Sequence, residues 1–276
     1  MNNARTDNTL FVTVCDYPNP AEMCATLRRT ADHFGIPLSF ASWGGRFADF
    51  YDKIPKVHHF LKMQPDPIEY VFQLDCTDVV FTDTVENILA SFNEVYTPGT
   101  VLFQRCAEIT RPLGLYSYVV VGEIAKNFSR TGLGCGGLFC GECSAVFSLL
   151  ERCIALKKKI QDRDTSDPLV ALYLRDPYSQ NDLSLARGMA NDELFYHLIM
   201  AGEPHRIKVD DQKRLLSMLR GALLSQADEP ALSLEHRRGL SPFENQSLGT
   251  ARILHRPGLR DREPWDAWVD QNILIN

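Results

Sequence analysis

Hydrophobic positions along the first hundred residues switch between two periods. Leu10–Cys15 (LFVTVC) is a continuous apolar run of strand length, the pattern of a strand covered on both faces. Asn19-Pro20 then opens a stretch to about Phe34 in which Met23, Leu27 and Ala31 recur one turn apart. This predicts a helix, which Gly35-Ile36-Pro37 ends. Leu38–Ala41 predicts a second strand, Phe47–Met63 a helix with one proline near its middle, and Glu69–Leu74 (EYVFQL) a third strand. Asn87–Val95 follows as a helix and Val101–Gln104 as a further strand. The β-α-β-α-β rhythm predicts an α/β fold, Rossmann-like, with a mixed, mostly parallel sheet flanked by helices.

Beyond Arg105 the regularity lapses. Arg105–Gly134 reads as a long excursion, followed by a small-residue strand (GGLFCG) and a helix from Ser144 to about Lys159. Gln161–Gly188 is polar and proline-containing, and is expected to be a surface loop. Asn191–Ala201 (NDELFYHLIMA) has the pattern of an amphipathic helix, with Asn191 or Asp192 suited to capping its start. Near the C-terminus, Trp265, Trp268 and Ile273 are available to pack against the core or a partner. No repeat or linker composition interrupts the chain, so a single domain over residues 1–276 is expected.

Charge and composition narrow the function classes. A net charge of -6 and a pI near 5.7 leave no basic footprint, which argues against nucleic acid as a partner. The best candidate span, Tyr116–Gly122, is far too short to cross a bilayer, and MNNARTDNTL lacks the build of a secretory leader. A cytoplasmic setting is therefore expected. Eight cysteines, among them Cys15, Cys24, Cys76, Cys106 and Cys153, are scattered through the elements as buried thiols in a reducing compartment would be. Cys135, Cys140 and Cys143 are spaced C-x4-C-x2-C, without the paired clusters of a structural zinc site.

In parallel sheets ligands bind beyond the carboxyl ends of the strands, so Asp16 and the Asp75-to-Asp78 segment are the first places to look for chemistry. Asp75 and Asp78 follow a buried strand and lie three residues apart between apolar neighbours. Two anions held so close are unfavourable unless a positive charge sits between them, and carboxylate oxygens suit hard Mg²⁺ or Mn²⁺. The alternative is a capping aspartate plus a solvated turn aspartate.

The surrounding blocks resemble the glycosyltransferase domain of procollagen lysyl hydroxylases and related GT-A proteins, over roughly Leu10 to Gly258. In order these are the first strand, a strand-loop with Trp43-Gly44-Gly45, and a lysine-bearing helix (Lys53-Ile54-Pro55-Lys56-Val57). FQLDCTDVVF follows, then Glu108 within FQRCAEITRP, GCGGLFCGECSAVFSLL, NDELFYHLIM and ARILHRPG.

The resemblance implies a GT-A fold and transfer of a hexose, glucose or galactose, from a UDP-sugar with Mn²⁺ or Mg²⁺ as cofactor. It implies Asp75, Asp78 and His255 as metal ligands; without it, a lone His255 before Arg256-Pro257 reads as an exposed loop residue. Asn191 and Asp192 fall where the family has consecutive acidic residues facing sugar and acceptor, with Asn in place of the first acid. Trp43 is placed to stack on the donor base or wall its pocket, and Lys53 or Lys56 to meet the diphosphate. Gly136 and Gly137 would let backbone approach a ligand closely. Topology puts Thr13 and Asp16 near the nucleoside. Arg256 and Gly258 stand where the family has Gly-Asn-Gly after the histidine, and Arg256 would add a positive contact. Gly114–Gly132 matches poorly, and the hydroxylase domains of those larger proteins have no counterpart here, so collagen lysine need not be the acceptor.

Two other classes stand beside the enzyme. One is a non-catalytic GT-A protein that binds a nucleotide-sugar or glycan. The other is an aspartyl-nucleophile phosphatase, which would need Asp-x-Asp after the first strand, where this chain has Asp16-Tyr17-Pro18.

Overall fold

The computed structural model describes residues 8–46, 48–105, 118–128, 134–175, 192–212, 214–218, 251–255 and 263–274. β1 (Thr9–Cys15) leads through α1 (Pro20–Met23) and α2 (Ala25–His33) to β2 (Leu38–Trp43). A 3-10 turn, Phe50–Asp52, runs into α3 (Lys53–Lys62), then β3 (Tyr70–Asp75), β4 (Val79–Phe81), α4 (Val85–Val95) and β5 (Val101–Arg105). Next come α5 (Tyr118–Asn127), β6 (Gly134–Glu142), α6 (Cys143–Gln161), α7 (Pro168–Leu174) and α8 (Asp192–Gly202). β7 (Ile207–Asp210), β8 (Leu216–Met218), β9 (Ile253–His255) and α9 (Glu263–Asn272) complete the described elements.

The fold is α/β, built on a six-stranded mixed sheet in the order β2-β1-β3-β6-β5-β7. β1 is parallel to β2 and β3, β5 is parallel to β7, and β6 alone runs antiparallel to its neighbours. Alternate residues explain why the strands read as unbroken apolar runs. Val12, Val14, Val71, Val101 and Phe103 face a core under α3, α5, α6, α7 and α8. Phe11, Phe72, Leu74 and Leu102 face the opposite core, under α2 and α4. Both faces are covered, so both registers are mostly apolar, and buried polar exceptions such as Thr13 and Gln104 carry hydrogen bonds.

A second sheet, β4-β9-β8, stands at the carboxyl end of the first. β4 pairs antiparallel with β9, which sets Val79 opposite His255. Val80 and Leu254 turn outward onto Trp265, Val269 and Ile273 of the C-terminal segment, while Val79, Phe81 and Ile253 turn into the α2–α4 core. The aromatic C-terminus thus packs on the strands that carry Asp78 and His255 to the site. Its registration is helped by Arg29, which reaches Asp270 at 2.6 Å from α2.

Several expectations need correction. The helix drawn from Asn19 to Phe34 breaks at Cys24, which is fully buried against Cys15 and Cys76. The strand starting at Leu38 runs on to Trp43. The next helix begins as the 3-10 turn at Phe50, capped by Asp49, whose carboxylate accepts from Asp52 N at 3.2 Å. Pro55 consequently falls in the first turn of α3, where its missing N–H is no loss.

The surface loop expected over Gln161–Gly188 contains a helix, α7, with Leu169, Val170, Leu172 and Tyr173 buried. Asp167 caps it by accepting from Leu169 N at 3.0 Å, and Arg152 of α6 grips the same carboxylate with two bonds of 2.7 and 3.0 Å. That fork, with Lys159 beside it, holds the Asp167 carboxyl well below the usual carboxylate range. The excursion over Arg105–Gly134 likewise contains α5.

Among the described residues no helix is long and apolar enough to cross a membrane.

Candidate cation site at the carboxyl end of the sheet

Three elements deliver three ligand-type side chains to one point. β3 ends on Asp75, the turn between β3 and β4 carries Asp78, and β9 ends on His255. One atom from each lies within 4.8 Å of the others, an arrangement able to hold a metal ion. His255 is 1% exposed and Asp78 7%. His255 Nε2 stands 3.5 Å from Asp78 Oδ2. That contact is longer than an ordinary hydrogen bond, and His255 Nε2 and Asp78 Oδ1 are both buried without a hydrogen-bond partner among the described residues. Leaving buried polar atoms unpaired typically costs about 1–3 kcal/mol each, so two of them on neighbouring candidate ligands argue for something that completes them.

The room for this convergence comes from β6. Along β5 the pairing runs Phe103 to Phe139 and then jumps to Gln104 with Cys135. β6 meanwhile keeps its pairing with β3 through Leu138. Gly136 and Gly137 therefore bulge away from β5, and side chains fill the gap. A Cβ on Gly137 would sit 2.5 Å from His255 Cε1 and 2.7 Å from Asp75 Oδ2. On Gly136 it would meet Glu193 Cγ at 3.0 Å, Tyr196 Cε2 at 3.1 Å and Asp192 Oδ2 at 3.2 Å. These glycines were expected to admit a ligand. In this structure the space beside them is filled by side chains of β3, β9 and α8.

Lys53, from the first turn of α3, bridges two acids. Its Nζ is 2.8 Å from Asp75 Oδ1 and 3.0 Å from Asp192 Oδ2. Burial opposes its charge, but Asp192 and Asp75 outweigh burial and hold the ammonium well above its ordinary pKa. For Asp75 burial pushes the pKa up, and Lys53 and His255 more than reverse this, leaving it lowered. Burial raises Asp192 to about 6 against the pull of Lys53, with Glu193 and Asp75 adding to the rise. For His255 burial works downward, and the carboxylates of Asp78 and Asp75 prevail, so its pKa lies above the usual value. Among the described residues, Asp75, Asp78 and Asp192 set three carboxylates beside the ammonium of Lys53, an acid-rich hollow suited to a divalent cation with oxygen and imidazole donors.

The remaining expected residues are placed as follows. Asp192 opens α8, is 3% exposed and faces Lys53. Asp16 is buried, and accepts from Ser42 Oγ and Lys56 Nζ. Thr13 has no exposed surface, and its hydroxyl donates to the Leu74 carbonyl at 2.7 Å, which makes it a sheet residue here. Trp43 ends β2 with 45% of its surface exposed, its ring edge-on to Phe40 at 4.6 Å. It lines an open cavity of about 390 Å³ with Arg28, Asp32, Ile36 and Leu38. Cys15 pairs with Trp43 and Val14 with Asp75, so the tryptophan lies two strands from the acids, roughly 10 Å by strand spacing. Gly44 and Gly45, just after it, adopt φ of 78° and 115°, open to glycine but not to most residues. Asn191, Glu108, Arg256 and Gly258 lie outside the described residues.

Sequence reasoning overlooked three residues around the histidine. Gln104 Oε1 is 2.7 Å from His255 Nδ1. Glu193 accepts from Gly136 N at 3.3 Å, and Cys135 Sγ lies 3.6 Å from the same carboxylate oxygen. The pattern of FQR does not mark Gln104, and the spacing of Cys135 and the position of Glu193 in the helix after Asn191 do not show that they meet here.

No family model matches the chain, and no curated protein gives a significant match to it.

Proposed function

We propose that the protein is a metal-dependent GT-A hexosyltransferase, which takes glucose or galactose from a UDP-sugar to an acceptor hydroxyl. The observation that carries this reading is the meeting of Asp75, Asp78 and His255 around unpartnered buried atoms at the carboxyl end of a mostly parallel sheet. Those three side chains would hold Mn²⁺ or Mg²⁺. When bound, such a cation supplies positive charge against the leaving nucleoside diphosphate.

The chain's own residues supply the rest by position. Lys53 keeps Asp75 and Asp192 at fixed separation, so the acid at the start of α8 is oriented beside the cation ligands. Asp192, and Asn191 before it, are assigned to orienting the sugar and acceptor hydroxyls, which is where holding two reactants in line gains most. Trp43, roughly 10 Å across the strand ends, is assigned to the nucleoside base. Arg256 and Gly258 keep the diphosphate contacts that the family resemblance implies. A cytoplasmic setting agrees with Cys15, Cys24, Cys76, Cys135, Cys140, Cys143 and Cys153 being outside any disulfide.

A panel of nucleotide sugars, each with Mn²⁺ and with a chelator, tests the proposal by thermal unfolding. UDP-glucose or UDP-galactose at about 100 times its Kd is expected to raise Tm by roughly 5–10 °C with Mn²⁺ and to lose that effect with the chelator. UDP release in a parallel turnover assay separates the enzyme from a protein that only binds. Equal stabilisation with and without the cation, or none by any UDP-sugar, would overturn it.

A further inference from the structure

A neutral imidazole carries one proton on one of two nitrogens, and which nitrogen is left with a lone pair depends on what the other one meets. For His255 that neighbour is Gln104. It lies on β5, has no exposed surface, and sets its Oε1 2.7 Å from Nδ1. A carboxamide oxygen only accepts, so Nδ1 donates to it and Nε2 keeps the lone pair on the side of Asp78 and Asp75. We propose that Gln104 is a positioning residue of the cation site: its hydrogen bond fixes His255 in the tautomer able to ligate. The proposal rests on the reading of Asp75, Asp78 and His255 as the cation ligands.

The same geometry shows what the alternative state would be. A half-turn of the Gln104 amide would set its NH₂ against Nδ1 and move the ring proton to Nε2. There it would face Asp78 Oδ2, now 3.5 Å away, as a hydrogen-bond donor. That state turns an N–H of the histidine toward the acid and leaves no lone pair for a cation. The observed state does the opposite. It leaves Gln104 Nε2, His255 Nε2 and Asp78 Oδ1 buried without partners among the described residues. Of these, the flipped state would relieve His255 Nε2 alone, while Asp78 Oδ1 and the far atom of the Gln104 amide would keep no partner.

Cys135 Sγ is also near Nδ1, at 3.7 Å, but a thiol is a weak acceptor and the amide oxygen is the closer and stronger partner. Gln104 can reach the ring because the pairing of β5 with β6 breaks next to it, where Gly136 and Gly137 bulge aside.

The test compares the wild type with Gln104→Met, which keeps length and burial but offers no oxygen, and Gln104→Glu, which keeps the acceptor. Ring-nitrogen NMR of the metal-free protein at mildly alkaline pH reports the tautomer, with the His255 signals assigned by their loss in His255→Ala. Mn²⁺ affinity is read from the EPR signal of the free ion. The wild type is expected to show Nδ1–H. Gln104→Met is expected to shift toward Nε2–H and to bind Mn²⁺ about 10- to 100-fold more weakly, and Gln104→Glu to restore both.

An Nε2–H ring in the wild type overturns the proposal without any variant being needed, and so does a Gln104→Met protein with unchanged tautomer and affinity. If the wild type shows Nδ1–H but binds no Mn²⁺, the cation-site reading fails, and the proposal falls with it for that separate reason.

Discussion

Gly137→Ala is expected to abolish Mn²⁺ binding while leaving the protein folded. One added methyl would lie 2.5 Å from His255 Cε1, 3.0 Å from its Nε2 and 2.7 Å from Asp75 Oδ2. No relaxation of a flexible tip resolves that. The imidazole is buried in a slot bounded by Gln104 and Cys135, and Asp75 is tied to Lys53 at 2.8 Å. Either the ring or the acid must leave its place, and each is a proposed ligand. Overpacking of this kind typically costs about 1–3 kcal/mol, which for a chain of this size lowers Tm by several degrees without unfolding it at room temperature.

Gly136→Ala provides the scale. Its new contacts are 3.0–3.2 Å, onto Glu193, Tyr196 and Asp192 rather than onto the proposed ligands. It is expected to keep measurable Mn²⁺ affinity. Titration of both variants followed by EPR, with circular dichroism as the check on folding, decides the matter. Wild-type affinity in Gly137→Ala would mean that His255 and Asp75 do not hold the ion together.

Asp78→Ala carries the second large effect. The side chain is buried at 7% exposure, one oxygen has no hydrogen-bond partner among the described residues, and the other stands 3.5 Å from His255 Nε2. Its removal deletes a ligand and the acid that faces the histidine. Interactions that neutralise a leaving group's charge are worth several kcal/mol, so turnover of the UDP-sugar should fall by about 10³-fold or more. Stability should change little. Asp78 lies in a short turn, and its carboxylate anchors no backbone N–H among the described residues. Tm without metal is expected within about 4 °C of the wild type, equivalent to roughly 1 kcal/mol. The readouts are UDP release at saturating Mn²⁺ and a melting curve of the same preparation. A variant that turns over donor at the wild-type rate would refute the role of Asp78.

What was legible in the sequence follows from which residues announce their surroundings locally. β1, β3 and β5 stand out because both of their faces are covered, which leaves unbroken apolar runs. α7 does not, because PLVALYL is only seven residues long, apolar nearly all round, and set within a polar stretch. The signal that could have found it is Asp167-Pro168, a cap followed by proline at the first helical position. β4 and β9 have three residues each and exist through pairing across more than half the chain, which no local window contains.

For the candidate site, the chemistry of Asp75 and Asp78 was visible as two acids after a strand, and His255 entered only through the family resemblance. The structure brings those three together. That Gly136 and Gly137 mark a close approach was visible, but the side chains packed against them were not. The bulge between β5 and β6 is a register effect, and it is His255 and Asp75 that occupy the space a side chain would take. Gln104 was invisible for the same reason: a glutamine near the end of a strand has no partner until a distant histidine is placed beside it.

The whole account depends on one ion being held by side chains from β3, the turn after it, and β9. Crystals grown with Mn²⁺ and UDP, with diffraction recorded at the manganese absorption edge, test this directly. The expected map has one anomalous peak within coordinating distance of Asp75, Asp78 and His255 Nε2, with the diphosphate on its open side. A peak elsewhere, or an imidazole turned away from the ion in the UDP-bound protein, would contradict it.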